Sequence, residues 1–307
     1  MKSVKDIDVS KVEGVDNLVR QMSASGGFTA KKLAAGVDIL EDMAKDGGSV
    51  NFLSFPACII STGTRGVIKE LVKRKVFDVI ITTCGTLDHD LARIWKDYYH
   101  GDFQMDDAAL HKKGINRLGN ILIPNECYGE ILENKMQEML ADICRGKERF
   151  ATYEIIGEFG RRIKDKDSIL YWASKNEIPI IVPGITDGAF GSQLFFYAQD
   201  HKLDIDVFAD EKLLADITFD AKKSGALMIG GGISKHHTIW WNQFRGGLDR
   251  AVYITTAPEY DGSLSGARIR EAVSWGKVKE NAKYITVEGD ATVLLPVMIS
   301  ALLERLG

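Results

Sequence analysis

The chain has 307 residues, 45% hydrophobic and 27% charged, an ordinary globular make-up long enough to bury a core without disulfides or a structural metal. A formal net charge of −4 excludes a global basic field that would draw the molecule to nucleic acid or anionic lipid. Cys58, Cys84, Cys127 and Cys144 form neither a CxxC pair nor a cluster with zinc-ligand spacing, so reduced thiols and no metal are expected.

The first residues, Met1-Lys2-Ser3-Val4-Lys5-Asp6, carry no apolar signal core, and no stretch approaches the ~20 apolar residues that span a bilayer. Both absences lead to the expectation of a cytoplasmic protein without a membrane anchor. Residues 1–30 are polar and mixed, break at Gly26-Gly27, and read as an N-terminal extension. Residues 31–45 have helical apolar spacing. Apolar runs at 51–60, 77–81, 178–182, 226–229, 251–254 and 284–287 read as buried strands. Helices are expected at 63–75, 135–145, 168–175 and 213–224, and the polar segment 100–125 reads as a surface excursion. Nearly continuous apolar strands separated by helices predict an α/β fold with a mostly parallel sheet covered on both faces. No repeat, low-complexity tract or linker interrupts the pattern, so one domain over 1–307 is expected.

Ligands of open α/β sheets bind beyond the carboxyl ends of the strands. Those ends carry Ser61-Thr62-Gly63, the stretch from Thr83-Cys84-Gly85 to Asp88-His89-Asp90, Gly184 to Gly188, Gly230-Gly231-Gly232, Thr255-Thr256 and Glu288-Gly289-Asp290. Any one of these is what a turn normally contains. Together they predict a nucleotide-sized site, with Asp187 or Asp290 suited to ribose hydroxyls. The usual G-x-G-x-x-G fingerprint is absent.

The spacing predicts a helix over 265–277, capped by Ser265, with Glu271 and Trp275 four residues apart on one face. A carboxylate beside an indole suits a cationic amine. Lys277 follows Gly276, where that helix should end. An amine against an aromatic wall is a candidate Schiff-base nucleophile; spacing alone favours a surface lysine at a helix C-terminus. In the segment from Gly230 to His237, adjacent His236 and His237 cannot share one metal. One of them as a general base or amine contact, or a solvated polar loop, fits the string equally well.

Over nearly its whole length the chain resembles deoxyhypusine synthase. The resemblance rests on Gly230-Gly231-Gly232-Ile233-Ser234-Lys235-His236-His237, Asp261-Gly262-Ser263-Leu264-Ser265-Gly266-Ala267-Arg268 and Glu271 to Lys277. Further strings are Gly114 to Asn120, Pro124-Asn125-Glu126 and Thr186-Asp187-Gly188. The resemblance implies a Rossmann-like doubly wound fold, a homotetramer, and NAD as cofactor. It implies that spermidine is oxidised at its secondary amine and its butylamine part carried as an imine on Lys277. That part then passes to a lysine of the hypusine-containing translation initiation factor precursor. Positions matching the family's cofactor contacts are Ser61, Thr83, Cys84, Gly85, Asp187, Gly231, Thr256, Gly289 and Asp290. Those matching its polyamine contacts are His236, Glu271 and Trp275, with His236 as the proton carrier.

The chain departs from the family pattern where family carboxylates stand. Leu264 and Ser192 replace aspartates, Asp88 and His89 replace paired glutamates, Trp240 replaces an asparagine, and Ala57-Cys58-Ile59 replaces Ser-Asn-Leu. Losing one partner of a buried ion pair costs about 3–5 kcal/mol, so the departures bear on the amine more than on the chemistry. Two alternatives follow: a related aminoalkyl transferase acting on a different amine, as homospermidine synthase does, and an inactive NAD-binding paralogue.

Overall fold

The apolar runs become strands, each trimmed by what flanks it. The run at 51–60 forms the strand Ser49–Phe55 and stops at Pro56, which has no backbone N–H for a ladder; Ala57–Ser61 coils into a 3₁₀ turn. Further strands of this six-stranded sheet include Val79–Thr82, Lys223–Ile229, Leu248–Thr255 and Val278–Glu288. Their order across the sheet is Val278–Glu288, Leu248–Thr255, Lys223–Ile229, Ser49–Phe55, Val79–Thr82. The first four run parallel, paired as Val252↔Ile285, Val252↔Leu227 and Leu53↔Leu227. The helix expected at 213–224 lies at Val207–Asp220 instead. Parallel pairing of Lys223 and Ser224 with Ser49 and Val50 draws its last residues into a strand.

The computed structural model describes residues 1–307 and groups them into two compact units. The first comprises Met1–Phe55, Val76–Ile81 and Leu214–Gly307, and the second Pro56–Lys75 and Thr82–Leu213. In the first unit, helices cover both faces of the sheet, and two consecutive residues show it. Val252 lies under the helix Phe28–Lys45, where a Cβ on Gly36 would stand 3.4 Å from its Cγ1. Tyr253 faces the helix Gly232–Gln243, whose Lys235 Nζ sits 3.7 Å from its ring centroid. Successive side chains of a strand point to opposite faces, so the two helices do too. The fold is the α/β, mostly parallel, doubly wound architecture expected. Part of the expected N-terminal extension is a helix, Val15–Ser25, whose Asp16 meets Arg305 of the last helix, Ala291–Leu306.

The second unit is mainly helical. The surface segment at 100–125 contains the helix Asp107–Lys112 and the strands Ile115–Leu118 and Ile121–Pro124, which form a small antiparallel sheet with Tyr99–His100. Fully buried Asp90 organises this unit: it accepts from Arg65 Nε at 2.7 Å, Ser168 Oγ at 2.7 Å, and the N–H groups of Ile169 and Leu170 at 3.0 Å. It thereby caps the helix Ile169–Lys175. No helix in either unit is long and apolar enough to cross a membrane.

Candidate active site

In the first unit, three neighbouring parallel strands deliver their carboxyl ends to one place. Thr255 pairs with Glu288 and Ile254 with Ile229. Beyond those pairs, Gly230 N–H donates to Ile254 O at 2.8 Å and Gly289 N–H to Thr255 O at 2.9 Å. Gly231, Thr256, Gly289 and Asp290 are therefore brought together. The helices Gly232–Gln243 and Ala291–Leu306 start at this edge and turn their N-terminal N–H groups toward it. Gly231 has no room for a side chain, because a Cβ there would lie 2.3 Å from Ser265 Cα. Asp290 caps its own helix, accepting from Thr292 N and Oγ1, both at 2.6 Å.

The segment after Gly230-Gly231-Gly232 is a helix, not a loop. His236 and Trp240, one turn apart, stack with ring centroids 5.7 Å apart and planes 23° from parallel. Lys235 points the other way and is only 1% exposed. Its Nζ donates to Leu264 O at 2.8 Å and Ala267 O at 2.7 Å. Tyr253 OH and Thr255 Oγ1 both donate to Ser265 O, at 2.6 and 2.9 Å. These side chains occupy carbonyls that a continuous helix would need, and the expected helix over 265–277 shrinks to Glu271–Ser274.

That short helix ends in a Schellman motif. Gly276, at φ +67°, donates to Val273 O, and Lys277 N–H donates to Ala272 O, each at 3.0 Å. The turn swings Lys277 inward to 8% exposure, so it is not the surface lysine that spacing alone favours. Its Nζ lies 5.2 Å from the Trp275 ring centroid and 5.7 Å from that of Trp240. A cavity of about 330 Å³ opens here, lined among others by His236, Trp240, Leu264, Glu271, Trp275 and Lys277. Burial and the nearby Lys277 charge push the His236 pKa down, which favours a neutral imidazole able to take a proton. Burial pushes the Lys235 amine down to about 7, against the opposing pull of Glu271. The four expected catalytic and substrate positions, Lys277, His236, Glu271 and Trp275, thus share one cavity. Lys235 and Trp240, absent from the expected site residues, belong to it as well. No apolar pattern marks them, because the buried face of the helix Gly232–Gln243 is mostly polar; the helix itself places Trp240 one turn beyond His236.

The remaining expected positions, Ser61, Thr83, Cys84, Gly85 and Asp187, lie in the second unit. Thr83 Oγ1 accepts Ala57 N–H at 3.0 Å, and Ser61 Oγ donates to Cys58 O at 2.7 Å. Gly85 abuts Ala57, whose Cβ would be 2.9 Å from a Cβ at this glycine. Cys84 packs against the exposed turn holding Asp187: a Cβ on Gly188 would stand 2.7 Å from its Sγ. Burial pushes the Cys84 thiol up to about 12, which leaves it unreactive. Asp88 is fully buried and accepts from Tyr128 OH at 2.8 Å and the N–H groups of Ala189 and Phe190 at 3.0 and 2.7 Å. It anchors the start of the helix Ala189–Asp200. His89 Nδ1 meets Tyr98 OH at 2.9 Å, and burial pushes its pKa down to about 4. Asp88 and His89 are thus interior anchors of the second unit.

A family model for deoxyhypusine synthase matches residues 17–302. Proteins named "Probable deoxyhypusine synthase" from Picrophilus torridus and Thermoplasma acidophilum are each 55% identical, over 302 and 303 residues, covering 98% of this chain and 97% of the relative. A crystal structure described as "a putative deoxyhypusine synthase from Entamoeba histolytica" superposes with a TM-score of 0.69 at 20% identity, over 98% of this chain and 97% of the other. That last likeness speaks to the fold.

Proposed function

We propose, from the premise that this chain belongs to the deoxyhypusine synthase family and so is a transferase, that it transfers the butylamine part of spermidine to a lysine of the hypusine-containing initiation factor precursor, with NAD as cofactor and Lys277 as covalent carrier. The observation that carries this reading is Lys277 itself, an amine buried to 8% exposure, with Nζ 5.2 and 5.7 Å from two indole centroids, in one cavity with His236 and Glu271.

The chain's residues fit a dinucleotide. Two helix N-termini and the glycines 230–232 and 289 converge at adjacent strand ends, the arrangement that binds phosphate through backbone N–H groups. Gly231, Thr256, Gly289 and Asp290 are its proposed contacts in the first unit, and Ser61, Thr83, Cys84, Gly85 and Asp187 are proposed as cofactor positions from the family match alone. When bound, NAD would supply a hydride acceptor for oxidation at the carbon beside the secondary amine of spermidine and a hydride donor for the final reduction. Lys277 Nζ attacks the oxidised carbon, forms the new C=N bond, and a three-carbon diamine leaves. Neutral His236 takes the proton shed by Nζ and returns it to the departing nitrogen. Glu271 and the Trp275 ring hold the cationic end. The acceptor lysine then displaces Lys277 by the same exchange. We propose a cytoplasmic homotetramer, for which light scattering should give four times the 34.0 kDa chain mass.

The test is borohydride trapping with spermidine and NAD, read by peptide mass. An aminobutyl adduct on the peptide holding Lys277, abolished in Lys277→Arg, is the expected outcome. Absence of any adduct in the wild type overturns the reading. One observation favours a second reading, the same chemistry on a different amine: Glu271 is the only carboxylate lining the cavity, beside Lys235, Arg268 and Lys277. A screen of amines for NADH formation separates the two, and a response to spermidine alone rejects the second.

A further inference from the structure

The second unit holds a cavity that the proposed chemistry leaves unused. About 480 Å³ in volume, it lies among the helices Thr152–Arg162 and Ile169–Lys175 and the strand Ile180–Ile181, and its size is that of a small-molecule site. Two glycines of the helix Thr152–Arg162 shape it. At Gly160 the two helices touch, because a Cβ there would lie 2.5 Å from Leu170 O. One turn earlier, Gly157 lines the cavity, and a Cβ there would meet only the Arg161 guanidinium, at 3.6 Å. The missing side chain leaves the space open. Ile156, Leu170, Ala173, Ile178 and Ile180 line it with apolar groups, each 5% exposed or less.

The rim carries five charges. Lys147 is paired with Glu154 at 2.8 Å and Arg161 with Glu158, which leaves the exposed Glu177 without a cation. Its place opposes it in two ways. Glu177 follows the end of the helix Ile169–Lys175, where Ile178 N–H closes the turn on Ala173 O at 2.9 Å. It stands at φ +56°, one of two non-glycine residues with positive φ, in a position that glycine normally fills. A carboxylate there also meets the negative end of the helix, where a cation is favoured. Strain of this kind gathers at ligand-binding positions. We propose that this cavity binds a small organic cation, an apolar body bearing one planar amidinium or guanidinium group, with the body on the apolar lining at Gly157 and the charge on Glu177. A compact, strongly hydrated ammonium gains little at an exposed carboxylate, whereas a planar, weakly hydrated group meets it with two parallel hydrogen bonds. The same charge offsets the helix end. The inference does not depend on the reading of Lys277.

The test titrates the full chain with benzamidine and with benzamide, its neutral counterpart of the same shape, followed by saturation-transfer NMR. The wild type should bind benzamidine about tenfold more tightly than benzamide. Glu177→Gln keeps the shape of the side chain and removes its charge, so it should abolish that preference while benzamide stays within about twofold of its wild-type affinity. Gly157→Leu fills the space and should weaken both probes about tenfold or more. Equal affinity for the two probes in the wild type overturns the proposal, as does a preference that survives Glu177→Gln. Benzamidine binding that survives Gly157→Leu lies in another cavity and overturns it as well. Should Gly157→Leu not fold, the comparison of wild type with Glu177→Gln decides. A wild type that forms no Lys277 adduct with any amine overturns the catalytic reading and leaves every arm of this test readable.

Discussion

At Lys235 the protein removes an amine from water and replaces the lost hydration with two carbonyls and a ring face. The replacement is incomplete, because burial still pushes the amine down to about 7 from an ordinary 10.5. The sign of the consequence is definite. Between about pH 7 and 10.5 the unfolded chain holds a proton on this lysine and the folded chain does not, so stability rises with pH across that window. The contribution is complete above the unfolded value and is lost as pH falls through the folded one. Lys235→Met removes the proton from both states. The wild type should therefore gain on the variant by about 1.4 kcal/mol per pH unit above neutrality, measured as the difference between their urea unfolding free energies from pH 7 to 9.5. Parallel curves would show that Lys235 titrates normally. Hydrogen exchange adds a local readout: the amides of 264–268, whose carbonyls Lys235 and Tyr253 hold, should exchange faster in the variant.

Among the elements, the helices Val15–Ser25, Phe28–Lys45 and Ala291–Leu306 are bound to one another through Arg305, which is 4% exposed and meets Asp16, Asp38 and Glu41. All three acids press its pKa upward, and burial opposes them. Arg305→Met leaves three carboxylates facing one another with no cation between them. A fully buried pair would lose about 3–5 kcal/mol, and the partial exposure of Asp38 and Glu41 screens part of this. The expected loss is about 2–4 kcal/mol in denaturant unfolding, with the earliest exchange in Val15–Ser25. An unchanged midpoint would assign these ion pairs to the exposed class that contributes little. Elements like these were readable in the sequence because their buried faces are apolar, as with Leu33, Val37 and Leu40. The helix Gly232–Gln243 was not, because its buried face is Ser234, Lys235, Thr238, Ile239 and Asn242. Most of those polar groups are satisfied internally: Thr238 Oγ1 donates to Ser234 O at 2.8 Å, and Ser224 Oγ pairs with Asn242 Oδ1 at 2.7 Å, while the Ser234 hydroxyl is left without a partner. Hydrophobic periodicity cannot detect a helix buried on hydrogen bonds. The shortened helix at Glu271–Ser274 failed to show for a related reason, since tethers from residues 10 to 32 positions away hold the carbonyls ahead of it.

At the scale of the whole molecule, the sheet followed from continuous apolar runs, and the family from strings such as Gly230 to His237. The closeness of Lys277 to Trp240 depended on a Schellman turn and a polar-faced helix that no local pattern displays. The same interior polar design shapes the pH response. In the second unit His89, 8% exposed, has its pKa pushed down to about 4 by burial, and Asp210, 4% exposed, has its pKa pushed up to about 6 by burial. Their effects have opposite signs. From pH 6.5 down to 4 the unfolded state protonates His89 and the folded state resists, so stability falls with pH by about 1.4 kcal/mol per unit. Asp210 is protonated in the folded state before the unfolded one, so from pH 6 down to 3.8 it returns a similar amount. Asp88, raised by burial, acts with Asp210. Because the chain forms two compact units, a single melting temperature would blur this balance. Hydrogen exchange at slow amides of the second unit resolves it. His89→Gln should gain stability toward acid and Asp210→Asn should lose it, each by about 1.4 kcal/mol per pH unit relative to the wild type. Two variants tilting the same way would mean that one of the two buried groups titrates with an ordinary pKa, and the compensation between them would be disproved.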